Sequence, residues 1–320
     1  MSCMSKLKAV FHYAASDGIA ARLKAAESDW LSIETCDEAD DERLFHLMAE
    51  ADVLWHVLKP ATAEVIAAAP NLRLIQKIGV GVNTIDLDAA RARDIPVCNM
   101  PGTNSQAVAE VTVMLMLSAL RRAATFHDAT RAGDGWRMDP GIFDRVGEVA
   151  GRTVGLVGFG EVARRVAPVL QALGAKVIYT APTKKENTGL AWCSLPNLLA
   201  QADVVSLHLP LTAETENLLD AAAFAAMKPG AVLINTARGG LVDPSALHHA
   251  LTKGTLLAAG LDVFADEPIA DNEPLLALEN VALMPHVAWL TPETFARSID
   301  IAVQNSRRLL DGGEFMHRVI

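Results

Sequence analysis

Residues 155–167 read GLVGFGEVARRVA. An apolar run, TVGLVG, leads into them and a helical pattern, Val162–Leu173, leads out, so the stretch reads as strand, tight turn and helix. Gly158-x-Gly160-x-x-Ala163 places small residues where a dinucleotide-binding turn needs them. Gly158 allows the tight turn, and Gly160 lets a pyrophosphate approach the backbone. Ala163 permits close helix–strand packing, and the helix N-terminus points free N–H groups at the anion. The alternative is a merely structural turn; the strand–turn–helix context favours the ligand.

The same alternation extends on both sides. Downstream of Arg152 the strand candidates are TVGLVG, AKVIY, VVSLHL, AVLINT, LLAAGLDV and VALMP. Helical patterns separate them at Val162–Leu173, Pro196–Ala200, Ala221–Met227 and Ser245–Thr252. Upstream, KAVFHY, WLSIET, DVLWHVL, LRLIQKIG and IPVCNM alternate with helical stretches around Ile19–Glu27, Asp41–Glu50, Thr62–Ala69 and Leu87–Arg93. Two such series predict an α/β protein with parallel sheets wrapped by helices. Between them, NSQAVAEVTVMLMLSALRRAA predicts one long buried helix over about Asn104–Ala124, capped by Asn104 or Ser105. An irregular, glycine-rich loop with Trp136 as a packing anchor follows, and a last helix is expected over Thr294–Leu310.

Bulk composition narrows the function classes. The 320 residues suffice for two ordinary domains, and a hydrophobic content of 51% fits a well-buried globular protein. A net charge of −10 argues against nucleic acid and anionic membrane as partners. Cys3, Cys36, Cys98 and Cys193 form no CxxC or Cys/His cluster, so reduced, mostly packed thiols are expected and no metal site. No run approaches the roughly 18 apolar residues of a membrane span, and a cytoplasmic location is expected.

The stretch YTAPTKKE, residues 179–186, falls about 20 residues past the glycine turn, where NAD-selective sites carry an acid for the ribose 2′-hydroxyl. Ala181 stands there instead, and so no carboxylate repels a 2′-phosphate. Thr180, Thr183, Lys184 and Lys185 offer donors and positive charge. A solvated lysine pair is the structural alternative, so the inference of NADP(H) over NAD(H) rests on Ala181 first.

Three more strand candidates end in a charged or titratable residue: INTARGGLVD with Arg238, GLDVFADEP with Glu267, and MPHVAWLTPE with His286. That edge is where open α/β sheets bind ligands, and an Arg, a carboxylate and a His there suit an anion clamp with an acid/base pair. Singly, each has a structural alternative: a salt bridge for Arg238, a turn cap for Glu267, a satisfied core histidine for His286.

KIGVGVNTID, NSQAVAE, GLVGFGEVA, MKPGAVLINTARGGLVD, LDVFADEP and PHVAWLTPE, in that order and spacing, resemble the D-isomer-specific 2-hydroxyacid dehydrogenase family over essentially the whole chain. The resemblance implies two Rossmann-like or flavodoxin-like doubly wound parallel-sheet domains with the active site in the cleft between them. It implies a discontinuous substrate-binding domain, 1–103 plus 291–320, and a dinucleotide-binding domain, 104–290. Arg238, Glu267 and His286 would then be catalytic. Arg238 would grip the carboxylate and carbonyl of a 2-oxo acid, and His286 would protonate the carbonyl oxygen as the nicotinamide delivers hydride. Glu267 would orient the ring and raise its pKa.

By the same resemblance Glu161 and Val162 lie at the pyrophosphate, Leu209 and Pro210 near the adenosine, and Thr236, Ala237 and Asp262 near the nicotinamide and its ribose. Backbone N–H groups at Val80 and Gly81 would hold the substrate carboxylate. Ala181 departs from the usual Asp, and Asn83 stands where the family often has Asp. The Ala-Trp289 ending is similar to the glyoxylate/hydroxypyruvate reductase branch, with Trp289 walling the substrate pocket or simply packing there.

The expectation is an NADP(H)-preferring reductase of a small 2-oxo acid, assembled as a homodimer through the long helix and the Trp136 loop. Dehydrogenases of another D-2-hydroxy acid or of phosphite are within-class alternatives. Formate dehydrogenation is disfavoured, because its pattern pairs Gln rather than Glu with the His. A dinucleotide-sensing protein like the C-terminal-binding corepressors is the alternative of another class. With no extensions expected on this chain, the enzyme is favoured.

Overall fold

The structure, a computed structural model, describes residues 6–320, so Cys3 lies outside the described residues. Two compact units form: one from residues up to Asn104 together with Leu290–Ile320, the other from Ser105–Trp289.

The first unit alternates strand and helix: β1 (Leu7–His12), α1 (Asp17–Ala26), β2 (Leu31–Cys36), α2 (Asp41–Met48), β3 (Val53–His56), α3 (Ala63–Ala67), β4 (Leu74–Lys77), α4 (Leu87–Arg91) and β5 (Val97–Cys98). The strands pair in parallel in the order β2-β1-β3-β4-β5. Each helix starts where a side chain can satisfy a free N–H: Ser16, Asp40, Thr62 and Asp86 cap α1 to α4 in turn. β3 and β4 are buried on both faces, as a sheet covered by helices requires.

The second unit opens with α5 (Ser105–Arg121) and α6 (Ala123–Arg131). It continues through β6 (Thr153–Val157), α7 (Glu161–Ala172), β7 (Lys176–Thr180), β8 (Ala191–Trp192), α8 (Leu195–Gln201) and β9 (Val204–Leu207). Then come α9 (Ala221–Ala226), β10 (Ala231–Asn235), α10 (Pro244–Thr252), β11 (Leu256–Leu261) and β12 (Val281–Leu283). Its seven parallel strands run in the order β12-β11-β10-β9-β6-β7-β8. Chain order reverses on either side of β6, which makes the junction of β6 and β9 the switch point of the sheet. Both sheets are thus wholly parallel and helix-covered, the α/β class expected.

Gly260 brings α5 onto this sheet. A Cβ there would stand 3.0 Å from Leu115 Cβ, a separation that lets the helix backbone approach β11. Leu115, Met116, Ala119 and Leu120 are buried in consequence. The single helix expected over Asn104–Ala124 divides at Arg122, whose φ of 52° turns the chain into α6. The Arg122 guanidinium reaches inward to the Leu257 carbonyl at 3.3 Å. A non-glycine in the left-handed region carries no propensity signal, so the sequence could not announce the break.

The last helix, α11 (Pro292–Asp311), is part of the first unit. Asn305 donates to Gln76 Oε1 at 2.6 Å and Trp55 Nε1 donates to Ser306 Oγ at 3.3 Å, so buried polar pairs tie it to β4 and β3. Among the described residues no helix is long and apolar enough to cross a membrane.

Candidate active site

The loops after β6, β7 and β9 converge at the switch point. Gly158 has φ 91°, and its N–H donates to Thr180 O at 2.9 Å, while His208 N–H donates to Val157 O at 2.7 Å. A Cβ on Gly158 would lie 2.3 Å from His208 O, so both the φ and the packing demand glycine. Gly160 differs: nothing lies within 4 Å of its Cβ position, and the approach to the first turn of α7 is open. Glycine at the cap leaves the N–H groups of Glu161 and Val162 with no side-chain acceptor from the cap. Ala163 is fully buried under that turn. An open backbone approach above uncapped donors fits a dinucleotide pyrophosphate.

His208 sits beside this turn with its Nε2 2.9 Å from Ser206 Oγ, and burial pushes its pKa down to about 4. Leu209 and Pro210 follow it, partly buried and exposed respectively.

At the end of β7, Ala181 accepts a hydrogen bond on its carbonyl from Trp192 Nε1 at 3.0 Å. Thr183 and Lys184 are exposed, and Lys185 Nζ lies 3.5 Å from Thr183 Oγ1. An open hollow of about 620 Å³ runs along Lys184–Leu190.

Arg238 follows β10 on a braced turn. Asn235, 1% exposed, accepts from Ala237 N at 3.0 Å and donates to Arg238 O at 2.9 Å. Arg238 Nη1 donates to Ala237 O at 2.6 Å. Burial lowers the arginine's pKa and the charge of Glu267 opposes that shift. Gly239 fixes what the turn packs against, since a Cβ there would fall 1.9 Å from the backbone of Phe264. That contact brings the arginine's loop against the loop carrying Glu267. Thr236 Oγ1 lies 2.8 Å from Thr112 Oγ1 of α5, which itself donates to Val108 O.

Glu267 is held at both oxygens. Phe264 N–H donates to Oε1 at 2.9 Å, and His286 Nδ1 lies 2.6 Å from Oε2. Burial opposes ionisation, but the His286 and Phe264 hydrogen bonds and the nearby Arg238 charge outweigh it, so the carboxyl falls below its ordinary range. His286 has φ 57°, strained for a non-glycine. Its backbone is pinned on both sides: the N–H donates to Asp262 O at 2.7 Å, and the carbonyl accepts from Trp289 Nε1 at 2.9 Å. The buried Asp262 carboxylate accepts from Val287 N at 2.9 Å and Ala288 N at 3.0 Å. Burial raises the Asp262 pKa, with those two N–H groups working against the rise. Asp262 thus shapes the histidine's loop. Trp289, 8% exposed, braces its backbone.

Arg238, Glu267 and His286 therefore come together on one strand edge of the second unit. Val80 and Gly81 belong to the first unit, in the turn after β4, where Gly79 has φ 140° and Asn99 Nδ2 donates to Val80 O at 2.9 Å. Sequence reasoning missed Asn235, Gly239 and the Phe264 N–H. Asn235 alone carried a signal, as an amide closing an otherwise apolar strand.

The family model described as D-isomer specific 2-hydroxyacid dehydrogenase, NAD binding domain, matches residues 113–288. D-3-phosphoglycerate dehydrogenase of Mycobacterium tuberculosis is 40% identical over 94% of this chain, but the chain spans only 57% of that protein's length. Glyoxylate reductase of Aeropyrum pernix is 38% identical over 82% of this chain and 81% of its own. Among solved structures, an NADPH-dependent glyoxylate/hydroxypyruvate reductase from Sinorhizobium meliloti, in complex with NADP and malonate, superimposes with a TM-score of 0.84. It is 29% identical, over 98% of this chain and 97% of that one.

Proposed function

The chain belongs to the D-isomer-specific 2-hydroxyacid dehydrogenase family, and from that premise we propose that it reduces a small 2-oxo acid, glyoxylate or hydroxypyruvate first, with NADPH. The observation that carries the reading is the 2.6 Å contact between His286 Nδ1 and Glu267 Oε2, beside Arg238. An ionised carboxylate on Nδ1 makes that nitrogen the donor and leaves Nε2 to carry the proton given to the substrate's carbonyl oxygen. Arg238 grips the substrate carboxylate with its fork and orients the carbon. A bound nicotinamide would supply the hydride. The residues of the glycine turn, Gly158, Gly160, Glu161 and Val162, would hold its pyrophosphate, and Thr236, Ala237 and Asp262 would lie by its nicotinamide end.

The choice of NADPH rests on Ala181, with Thr180, Thr183 and Lys184 as donors to a 2′-phosphate. The NADPH-dependent Sinorhizobium structure supports it as a likeness. Trp136 and Phe143, 88% and 68% exposed, support assembly as a homodimer. Comparing NADPH and NADH oxidation across a panel of 2-oxo acids tests the reading, and Ala181→Asp should move the preference toward NADH. A second reading is oxidation of D-3-phosphoglycerate, favoured by the 40% identity to the mycobacterial enzyme; the same panel run in reverse separates the two.

A further inference from the structure

We infer that the buried phenol of Tyr179 is a positioning residue for cofactor choice, because it locks the loop that carries Thr183, Lys184 and Lys185. The inference rests on the NADPH reading above and names the device behind it. Tyr179 lies in β7, 0% exposed, with its ring centroid 4.4 Å from that of Phe159, the residue between the two turn glycines. Its hydroxyl reaches the main chain six residues on. Lys185 N–H donates to the phenol oxygen at 2.8 Å, and the hydroxyl donates back to the Lys185 carbonyl at 3.2 Å. One buried side chain therefore satisfies both backbone groups of Lys185.

A second tether stands at the near end of the loop. Trp192 Nε1 donates to the Ala181 carbonyl at 3.0 Å. With residues 181 and 185 both fastened, Pro182, Thr183 and Lys184 span a short loop of fixed course. An untethered lysine pair would have to be ordered when a phosphate binds, at an entropic cost that a prearranged loop avoids. That benefit goes to a ligand with a 2′-phosphate. A ligand with a 2′-hydroxyl makes little use of the lysines and gains little. The tether should therefore act on NADPH and spare NADH.

Tyr179→Phe keeps the ring against Phe159 and removes both hydrogen bonds. Dissociation constants for NADPH and NADH, read from nucleotide fluorescence on the full chain, test it. The NADPH constant should rise by about fivefold or more while that for NADH moves less than about twofold. At saturating NADPH, kcat should stay unchanged. Should the variant fail to fold, Trp192→Phe releases the other tether from an exposed site and should show the same selective loss. Equal weakening of both nucleotides, or no change in either, overturns the tether while a wild-type preference for NADPH keeps the cofactor reading. A wild-type chain that binds NADH as tightly as NADPH overturns the cofactor reading and the inference with it.

Discussion

Nδ1 of His286 stands 2.6 Å from Oε2 of Glu267, and the N–H of Phe264 holds the other carboxylate oxygen at 2.9 Å. The histidine is thus aimed by a carboxylate that is itself fixed. His286→Asn should lower kcat for 2-oxo acid reduction by about 10²–10⁴-fold, the usual worth of a placed general acid, without changing thermal stability. Glu267→Gln should cost less, since the amide oxygen still accepts from Nδ1–H. Its pH profile should differ as well. Glu267 titrates below the ordinary value of 4.5, so its carboxylate is ionised above that value and loses its charge as pH falls through the lower one. The wild-type acid limb should carry that loss, and the Gln variant should lack it.

Arg238 carries its fork on a backbone turn braced by Asn235, and a lysine cannot reproduce two parallel N–H donors. Arg238→Lys should raise KM for the 2-oxo acid by about tenfold or more and leave the NADPH dissociation constant unchanged. Initial-rate kinetics with independent nucleotide titration checks both halves. An equal effect on the nucleotide would move Arg238 from substrate to cofactor.

Two glycines should differ in what alanine costs them. At Gly239 a Cβ would sit 1.9 Å from the Phe264 backbone, so the loop carrying Glu267 must shift. Gly239→Ala should cost about 3 kcal/mol or more of stability and lower activity with it. At Gly160 nothing lies within 4 Å of the new methyl, so Gly160→Ala should fold with a loss of at most about 1 kcal/mol. It should nevertheless weaken nucleotide binding. Thermal melts and nucleotide titration together distinguish the two.

His208 should make stability depend on pH. Burial holds it near 4 in the folded state against an ordinary 6.5, so the unfolded chain binds the proton more readily between those values. Stability is fully present above 6.5 and declines as pH falls toward about 4. Denaturant midpoints measured across that window should fall for the wild type and fall less for His208→Asn.

The contrast between those glycines also marks how much the sequence could say. Gly158-x-Gly160-x-x-Ala163 was readable because its spacing is local, and the strand alternation around it reports a parallel α/β sheet directly. Arg238, Glu267 and His286 were readable as strand-end residues for the same reason. Gly239 was not, because its role depends on a loop 25 residues later and no local pattern encodes that approach. Arg122 divides α5 from α6 with a left-handed backbone that its side chain does not advertise. The tie from Tyr179 to Lys185 is short in sequence, yet a buried tyrosine in a strand reads as core and its hydroxyl's target stays hidden.

The most direct measurement is kcat/KM for NADPH and NADH with glyoxylate and hydroxypyruvate, set against oxidation of D-3-phosphoglycerate with NADP and NAD. The account predicts the highest values for a small 2-oxo acid with NADPH. No turnover of any 2-oxo acid alongside tight nucleotide binding would contradict it, and so would faster oxidation of D-3-phosphoglycerate with NAD.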